Sequence, residues 1–226
     1  VMTNRIENIT IVGGGTSGWL AAIMITTFMN ARRDGPPVAV TLIESPDVPT
    51  VGVGEATVPG MMQLMSQLGV DEAEFIRRSN ASFKCGVRFR DWSRFADGRP
   101  RDFYHPFNSA APIRGGLSPA YHFHKFDAPA GGYDLVDALV PTGHAIDHRR
   151  GPREKHRANY ERAIGYSYHL DASLLARYMA ELAAARGVRH IKDNVTAVHL
   201  DERGFVRRLD LADGDPHDVE FVIDCT

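Results

Sequence analysis

The sequence predicts an α/β protein built on a Rossmann-type βαβ unit with added sheet, and three observations carry that prediction. An apolar run, Ile9 to Val12, breaks into glycines at Gly13, Gly15 and Gly18, the G-x-G-x-x-G spacing. A helix follows whose apolar side is expected to be Trp19, Leu20, Ile23, Met24 and Thr27, a helical period. A second apolar strand, Val38 to Ile43, then ends on Glu44, where an acid can accept hydrogen bonds from a ribose. Strand, glycines, helix, strand and acid in that order point to an adenine dinucleotide site. The first glycine allows the tight turn, the second lets a pyrophosphate approach the backbone, and the third lets the helix pack on the strand. Thr16 and Ser17 open the helix, whose free N–H groups and positive dipole end face the phosphates. A glycine turn at an ordinary strand-to-helix join would explain the glycines but not Glu44.

Composition sets the bounds. The chain has 226 residues, 43% hydrophobic and 24% charged, an ordinary globular balance. Its net charge of -2, from 26 basic and 28 acidic residues, gives no reason to expect nucleic acid or an anionic membrane as partner. The two cysteines, Cys85 and Cys225, lie far apart without metal-type spacing, no segment is long and apolar enough to cross a bilayer, and no signal-peptide pattern precedes the first strand. A reduced, cytoplasmic protein is expected.

After Glu44 comes S-P-D-V-P-T-V-G-V-G-E-A-T-V-P, residues 45–59, whose two glycines and three prolines predict an irregular strap rather than a helix or long strand. Its valines are too apolar for a solvated loop, so a buried or ligand-covered strap is expected, with Ser45, Val48, Val51, Val53 and Ala56 as candidate cofactor contacts. Helices are predicted over 60–68 and 71–78; Asp71 with Glu74 three residues on makes a capping-box pattern, and the methionines of the first read as core. From Ser82 to Trp92 the pattern has period two, with Phe83, Cys85, Val87 and Phe89 on one face and Lys84, Gly86, Arg88 and Arg90 on the other. On pattern alone Lys84 is a solvated strand lysine.

Residues 112–165 are rich in Gly, Pro and His and read as a long excursion. His122 and His124 would share a face on a strand, but with no third ligand placed beside them no metal site is predicted. The basic run His148 to Arg157 reads as a solvated or mobile loop. Regularity returns near Tyr168: Asp171 caps a helix with the stripe Leu174, Leu175, Tyr178, Met179 and Leu182, Gly187 ends it, and strands are predicted at 188–191, 195–200, 206–211 and 219–223.

The turn G-G-G-T-S-G-W, the strap I-E-S-P-D-V-P-T-V-G-V-G-E-A-T-V-P and the strand N-A-S-F-K together resemble the flavin-dependent tryptophan halogenases. The resemblance implies an FAD-binding, glutathione-reductase-like fold of the flavin monooxygenase type. In that family reduced FAD, O2 and halide (chloride or bromide) give hypohalous acid, which passes through an internal tunnel to a lysine beside the aromatic substrate. By match to the F-K motif that lysine is Lys84. Its amine holds hypohalous acid by hydrogen bond or becomes a haloamine, delivering halogen to one carbon.

The same resemblance places His105 and Phe107, in D-F-Y-H-P-F-N, where ring side chains flank the indole, and brings backbone at Val195 to the adenine. It implies a tryptophan or indole-like substrate and a separate flavin reductase, and it allows a homodimer. The chain reads as one FAD-binding domain over 1–226, interrupted by a substrate-side segment at about 79–165. The last residues, F-V-I-D-C-T, stop where the family continues into a W-x-W-x-I-P motif, a halide-binding loop and a glutamate that works with the lysine, so the resemblance covers the family's first half. Two other readings stand beside it: an aromatic hydroxylase of the same fold, which has no use for Lys84, and a catalytically silent FAD-binding fragment.

Overall fold

The computed structural model describes residues 5–31, 35–49, 52–108, 115–126 and 135–226. The chain forms two units. The first is Val1–Glu55, Arg77–Asn80 and Leu170–Thr226; the second is Ala56–Ile76 and Ala81–His169.

In the first unit, Ile9, Ile11, Val40, Leu42 and Ile43 leave water together by pairing their strands in parallel. The sheet runs Phe221–Asp224, Asn8–Val12, Ala39–Glu44, Arg189–Lys192 in spatial order, all parallel. Val12 stands opposite Ile43 on one side and Asp224 on the other, so the strands end nearly level. Helices Thr16–Met24 and Ala172–Ala185 pack against each other. The first buries Gly18, Trp19, Ala22 and Ile23, whereas Met24, expected inside, is exposed. It runs on as a wider turn, Ile25–Met29, where the Thr26 hydroxyl donates to the carbonyls of Ala22 and Ile23 at 2.9 and 3.0 Å. Asn30 then fixes the return, exchanging two hydrogen bonds with the Val38 backbone.

Asp171 caps the second helix by accepting from the Leu174 N–H at 2.9 Å, and Gly187, at φ +83°, follows its end. Its core residues are Leu175, Tyr178 and Met179 with Ala172, Ala176 and Ala183; Leu174 and Leu182 are only half-buried. Val195–Leu200, Val206–Leu211 and His217–Asp218 make a separate antiparallel sheet.

In the second unit, Ser82–Lys84 pairs antiparallel with the strand Ser167–Asp171, and Gly86–Arg94 makes a hairpin with Pro100–Pro106. The single strand expected over 82–92 is therefore two, broken at Cys85, and the expected face assignment reverses: Lys84 is buried at 9% exposure while Phe83 is 37% exposed. Pairing of Lys84 with Ser167 turns the lysine inward, whatever the alternation farther along suggests. Helix Pro59–Gln67 buries Met62 and Met65, and Asp71 accepts from the Glu74 N–H at 2.7 Å, one half of the predicted capping box. Residues 112–165 contain three short helices among the described residues: Pro119–Lys125, Leu135–Leu139 and Thr142–Asp147. His122 and His124 thus sit on a helix rather than a strand; the His122 ring stacks on Phe126, and the His124 side chain lies outside the described residues.

A second buried charge of this unit, besides Lys84, is Glu72, fully enclosed. One carboxylate oxygen accepts from the Tyr166 and Tyr168 hydroxyls at 2.5 and 2.9 Å, and the other from the Tyr160 N–H at 2.8 Å and from Arg153. Arg153, expected in a solvated basic loop, is instead mostly buried against this carboxylate, and its second nitrogen donates to the carbonyls of Arg157 and Ala158.

Candidate cofactor and lysine sites

The parallel sheet of the first unit delivers four strand ends to one place. Val12 leads into Gly13, Ala39–Glu44 ends on its acid, Lys192 leads into Asp193, and Asp224 into Cys225. A cavity of about 590 Å³ opens there, lined by Gly13, Gly14, Gly15, Thr16, Glu44, Ser45, Val48, Pro49, Val53, Glu55, Ala172, Asp193, Asn194, Val195, Cys225 and Thr226, with Val12 and Ile43 at its base. Crevices at the carboxyl ends of parallel strands are where open α/β sheets bind ligands, and the volume suits a cofactor-sized group.

The three glycines do separate work. Gly13 holds φ +115° and donates to the Ile43 carbonyl at 2.9 Å; a Cβ there would lie 2.5 Å from the Cys225 carbonyl oxygen. Gly15 precedes the helix in extended conformation, and a Cβ on it would meet nothing within 4 Å, so its backbone faces open cavity. Gly18 is buried, a Cβ there falling 2.0 Å from the Gly13 carbonyl oxygen; it packs the helix onto the turn and does not line the cavity. No side chain caps the helix, and among the described residues the lining carries no lysine or arginine, so a diphosphate here would be met by backbone N–H groups and the helix dipole. An open backbone at Gly15 and an uncapped helix start fit the pyrophosphate of an adenine dinucleotide.

Of the other expected contacts, Thr16, Glu44, Ser45, Val48, Val53 and Val195 line the cavity. Ser17 is exposed on the helix's first turn and Ala56 is exposed at the end of the strand Gly54–Ala56; neither is part of the lining. Val51 lies outside the described residues. The strap is not buried in protein: Val48 and Val53 are 71% and 55% exposed and present that surface to the cavity.

Sequence reasoning missed Gly14, Asp193, Asn194, Cys225 and Thr226. Asp193, almost fully buried, accepts from the backbone N–H groups of Asn194, Asp213 and Gly214, and this fixes the loop after its strand. Asn194 is held between Ser45, whose hydroxyl donates to it at 2.6 Å, and Asp47, to which it donates at 2.5 Å. The D-N pair just before the predicted strand at Val195 was the available signal.

In the second unit Lys84 donates to the Thr57 carbonyl at 2.9 Å, and its ammonium lies 5.2 Å from the centroid of the Phe107 ring. Around it, the Thr57 and Ser167 hydroxyls meet at 2.6 Å, Ser167 donates to the Val58 carbonyl at 2.7 Å, and the Thr57 N–H reaches the Tyr168 carbonyl at 2.9 Å. Gly165 permits this packing, since a Cβ there would fall 2.2 Å from the Phe107 carbonyl oxygen. Lys84 and Phe107, far apart in sequence, are therefore neighbours. His105 is exposed on the hairpin, across from Val87, and among the described residues no ring contact or hydrogen bond holds its side chain. Burial of Cys85 raises its thiol pKa, which argues against a reactive thiolate beside the lysine strand. No group of three metal-ligating side chains occurs among the described residues, and no described helix is long and apolar enough to cross a membrane.

Known proteins resemble the chain over nearly its whole length. The tryptophan halogenase family model matches residues 8–226. A tryptophan 7-halogenase from Lentzea aerocolonigenes is 33% identical over 241 aligned residues, covering all of this chain and 43% of the relative. Among solved structures, a tryptophan halogenase from Shewanella frigidimarina is 31% identical with TM-score 0.88, over 99% of this chain and 43% of that one. A flavin-dependent halogenase from Xanthomonas campestris is 29% identical with TM-score 0.81, over 98% and 42%. The chain thus spans somewhat less than half the length of the relatives it matches.

Proposed function

The chain belongs to the tryptophan halogenase family, and from that premise we propose that it forms the FAD-binding half of a flavin-dependent halogenase acting on tryptophan or another indole-like aromatic, with Lys84 delivering the halogen. The observation that carries this reading is Lys84 itself, buried, tied to the Thr57 carbonyl and set beside the Phe107 ring.

In this reading Gly13, Gly15 and Thr16 hold the diphosphate of FAD, Glu44 the adenosine ribose, and the backbone near Val195 the adenine. Bound as FADH2, the cofactor supplies the oxidation of chloride or bromide by O2 to hypohalous acid. Lys84 then acts in one of two ways. As an ammonium it donates a hydrogen bond to the oxygen of hypohalous acid. As a free amine it attacks the halogen and forms a haloamine, with water leaving. The aromatic carbon next takes the halogen and loses its proton, which restores the lysine. Burial of Lys84 keeps the amine out of bulk water, where the oxidant would be lost, and Phe107 beside it offers a flat apolar face to an indole. His105, exposed on the hairpin, would flank the indole from the side open to solvent. The second unit serves as the substrate side, FADH2 comes from a separate reductase, and the protein works in the cytoplasm, in keeping with unpaired Cys85 and Cys225.

An aromatic hydroxylase is not favoured, because it leaves a buried lysine without a task. Incubating the complete gene product with tryptophan, bromide, O2 and a flavin reductase separates the two: a brominated indole supports the proposal, and a hydroxylated one overturns it.

A further inference from the structure

Glu44 closes the cofactor cavity on one side, but its carboxylate is approached from behind. Alternation along Ala39–Glu44 puts Leu42 and Glu44 on the same face, and the register sets Leu42 opposite His190 on the edge strand. His190 is therefore a diagonal neighbour of Glu44, and its Nε2 lies 2.8 Å from Oε2 of the acid. A carboxylate oxygen accepts, so Nε2 carries the proton. The imidazole is held in turn by the buried indole of Trp19, edge-on with ring centroids 4.8 Å apart. The carboxylate also lies over Gly14, where a Cβ would sit 2.3 Å from Glu44 Cδ and 2.5 Å from Oε1. Oε1 has no hydrogen-bond partner among the described residues. A second groove, lined by Trp19, Arg177, His190 and Lys192, shares Gly14 and Glu44 with the cofactor cavity, so His190 reaches the acid without entering the cavity lining.

We propose that His190 is a positioning residue for ribose recognition: by holding Oε2 of Glu44 it fixes the carboxylate over Gly14 and leaves Oε1 to accept from the diol of the adenosine ribose. The inference rests on the dinucleotide reading of the cavity and extends it to a residue with no place in the glycine fingerprint. An unheld glutamate would rotate among several rotamers and lose side-chain entropy on binding; one already bonded to His190, with Gly14 leaving room for it, starts in the accepting orientation.

The test uses ADP and 2′,3′-dideoxy-ADP, titrated calorimetrically into the 226-residue chain and into variants whose thermal melting matches wild type. Wild type should prefer ADP by about tenfold, equivalent to about 1.4 kcal/mol. His190→Ala should keep its affinity for dideoxy-ADP while its preference for ADP falls to about threefold or less. His190→Gln, whose amide nitrogen replaces Nε2 at similar reach, should restore the preference. Full preference in His190→Ala, or no rescue by glutamine, overturns the role of His190 alone. Failure of wild type to bind ADP or FAD overturns the dinucleotide reading and this inference with it.

Discussion

Removing the Glu72 carboxylate tests whether the second unit is organised around a buried charge. Glu72 has no exposed surface and serves four donors: the Tyr166 and Tyr168 hydroxyls, the Tyr160 N–H and Arg153. Glu72→Ala strips Arg153 of its carboxylate at a site where the arginine side chain is only 18% exposed. Breaking a buried ion pair from one side costs about 3–5 kcal/mol, and stranding two phenols and an N–H adds roughly 1 kcal/mol each, partly recovered by water entering the space. A loss of about 4 kcal/mol is expected, which for a chain of this length lowers Tm by roughly 8–16 °C. The double variant Glu72→Leu with Arg153→Met removes both charges and should lose about half as much or less. The assay is urea unfolding followed by near-UV circular dichroism, which reports the packed rings of Tyr166 and Tyr168. A loss below about 1 kcal/mol in Glu72→Ala, or an equal loss in the double variant, would show that the second unit is not organised around this charge.

The same cluster governs alkaline behaviour. Burial first, and the neighbouring Glu72 second, raise the pKa of both Tyr166 and Tyr168 from the ordinary 10.0. Stability from these phenols is intact below the unfolded value of about 10 and declines as pH rises toward the folded ones, by up to about 1.4 kcal/mol per pH unit for each. Absorbance at alkaline pH should show two of the seven tyrosines ionising only as near-UV dichroism is lost; smooth ionisation of all seven in the folded chain would contradict this. In the first unit, Gly15→Ala should leave melting unchanged but weaken FAD binding about tenfold or more, whereas Gly18→Ala, with its Cβ 2.0 Å from the Gly13 carbonyl oxygen, should lower stability by about 2 kcal/mol or more. Calorimetric titration and thermal melting of both variants give the answer, and similar melting losses in the two would count against separate roles.

What the sequence made legible was local. The turn at Gly13 to Gly18, the acid at Glu44 and the cap at Asp171 are each decided within a few residues, and each stands as expected. Asp193, Asn194 and Cys225 were hidden because only the parallel pairing of distant strands brings their ends to Gly13. His190 was hidden for the same reason, its link to Glu44 depending on the register of an edge strand. Lys84 misled the period-two reading because the break at Cys85 separates it from the hairpin. Glu72 lies between the two capping-box residues with nothing in the pattern to single it out, and its partner Arg153 lies in a basic run that reads as solvated. Burial of a charged pair leaves no periodic trace when the two residues are 81 positions apart.

Under the proposed function, halogenation depends on the buried Lys84 while FAD binding does not. Lys84→Met is made in the complete gene product and assayed with FAD, reductase, O2, bromide and tryptophan, brominated product being read by mass spectrometry and FAD binding by flavin fluorescence. FAD affinity should equal wild type and brominated product should fall by about a hundredfold or more. Bromination at the wild-type rate with FAD bound would contradict it.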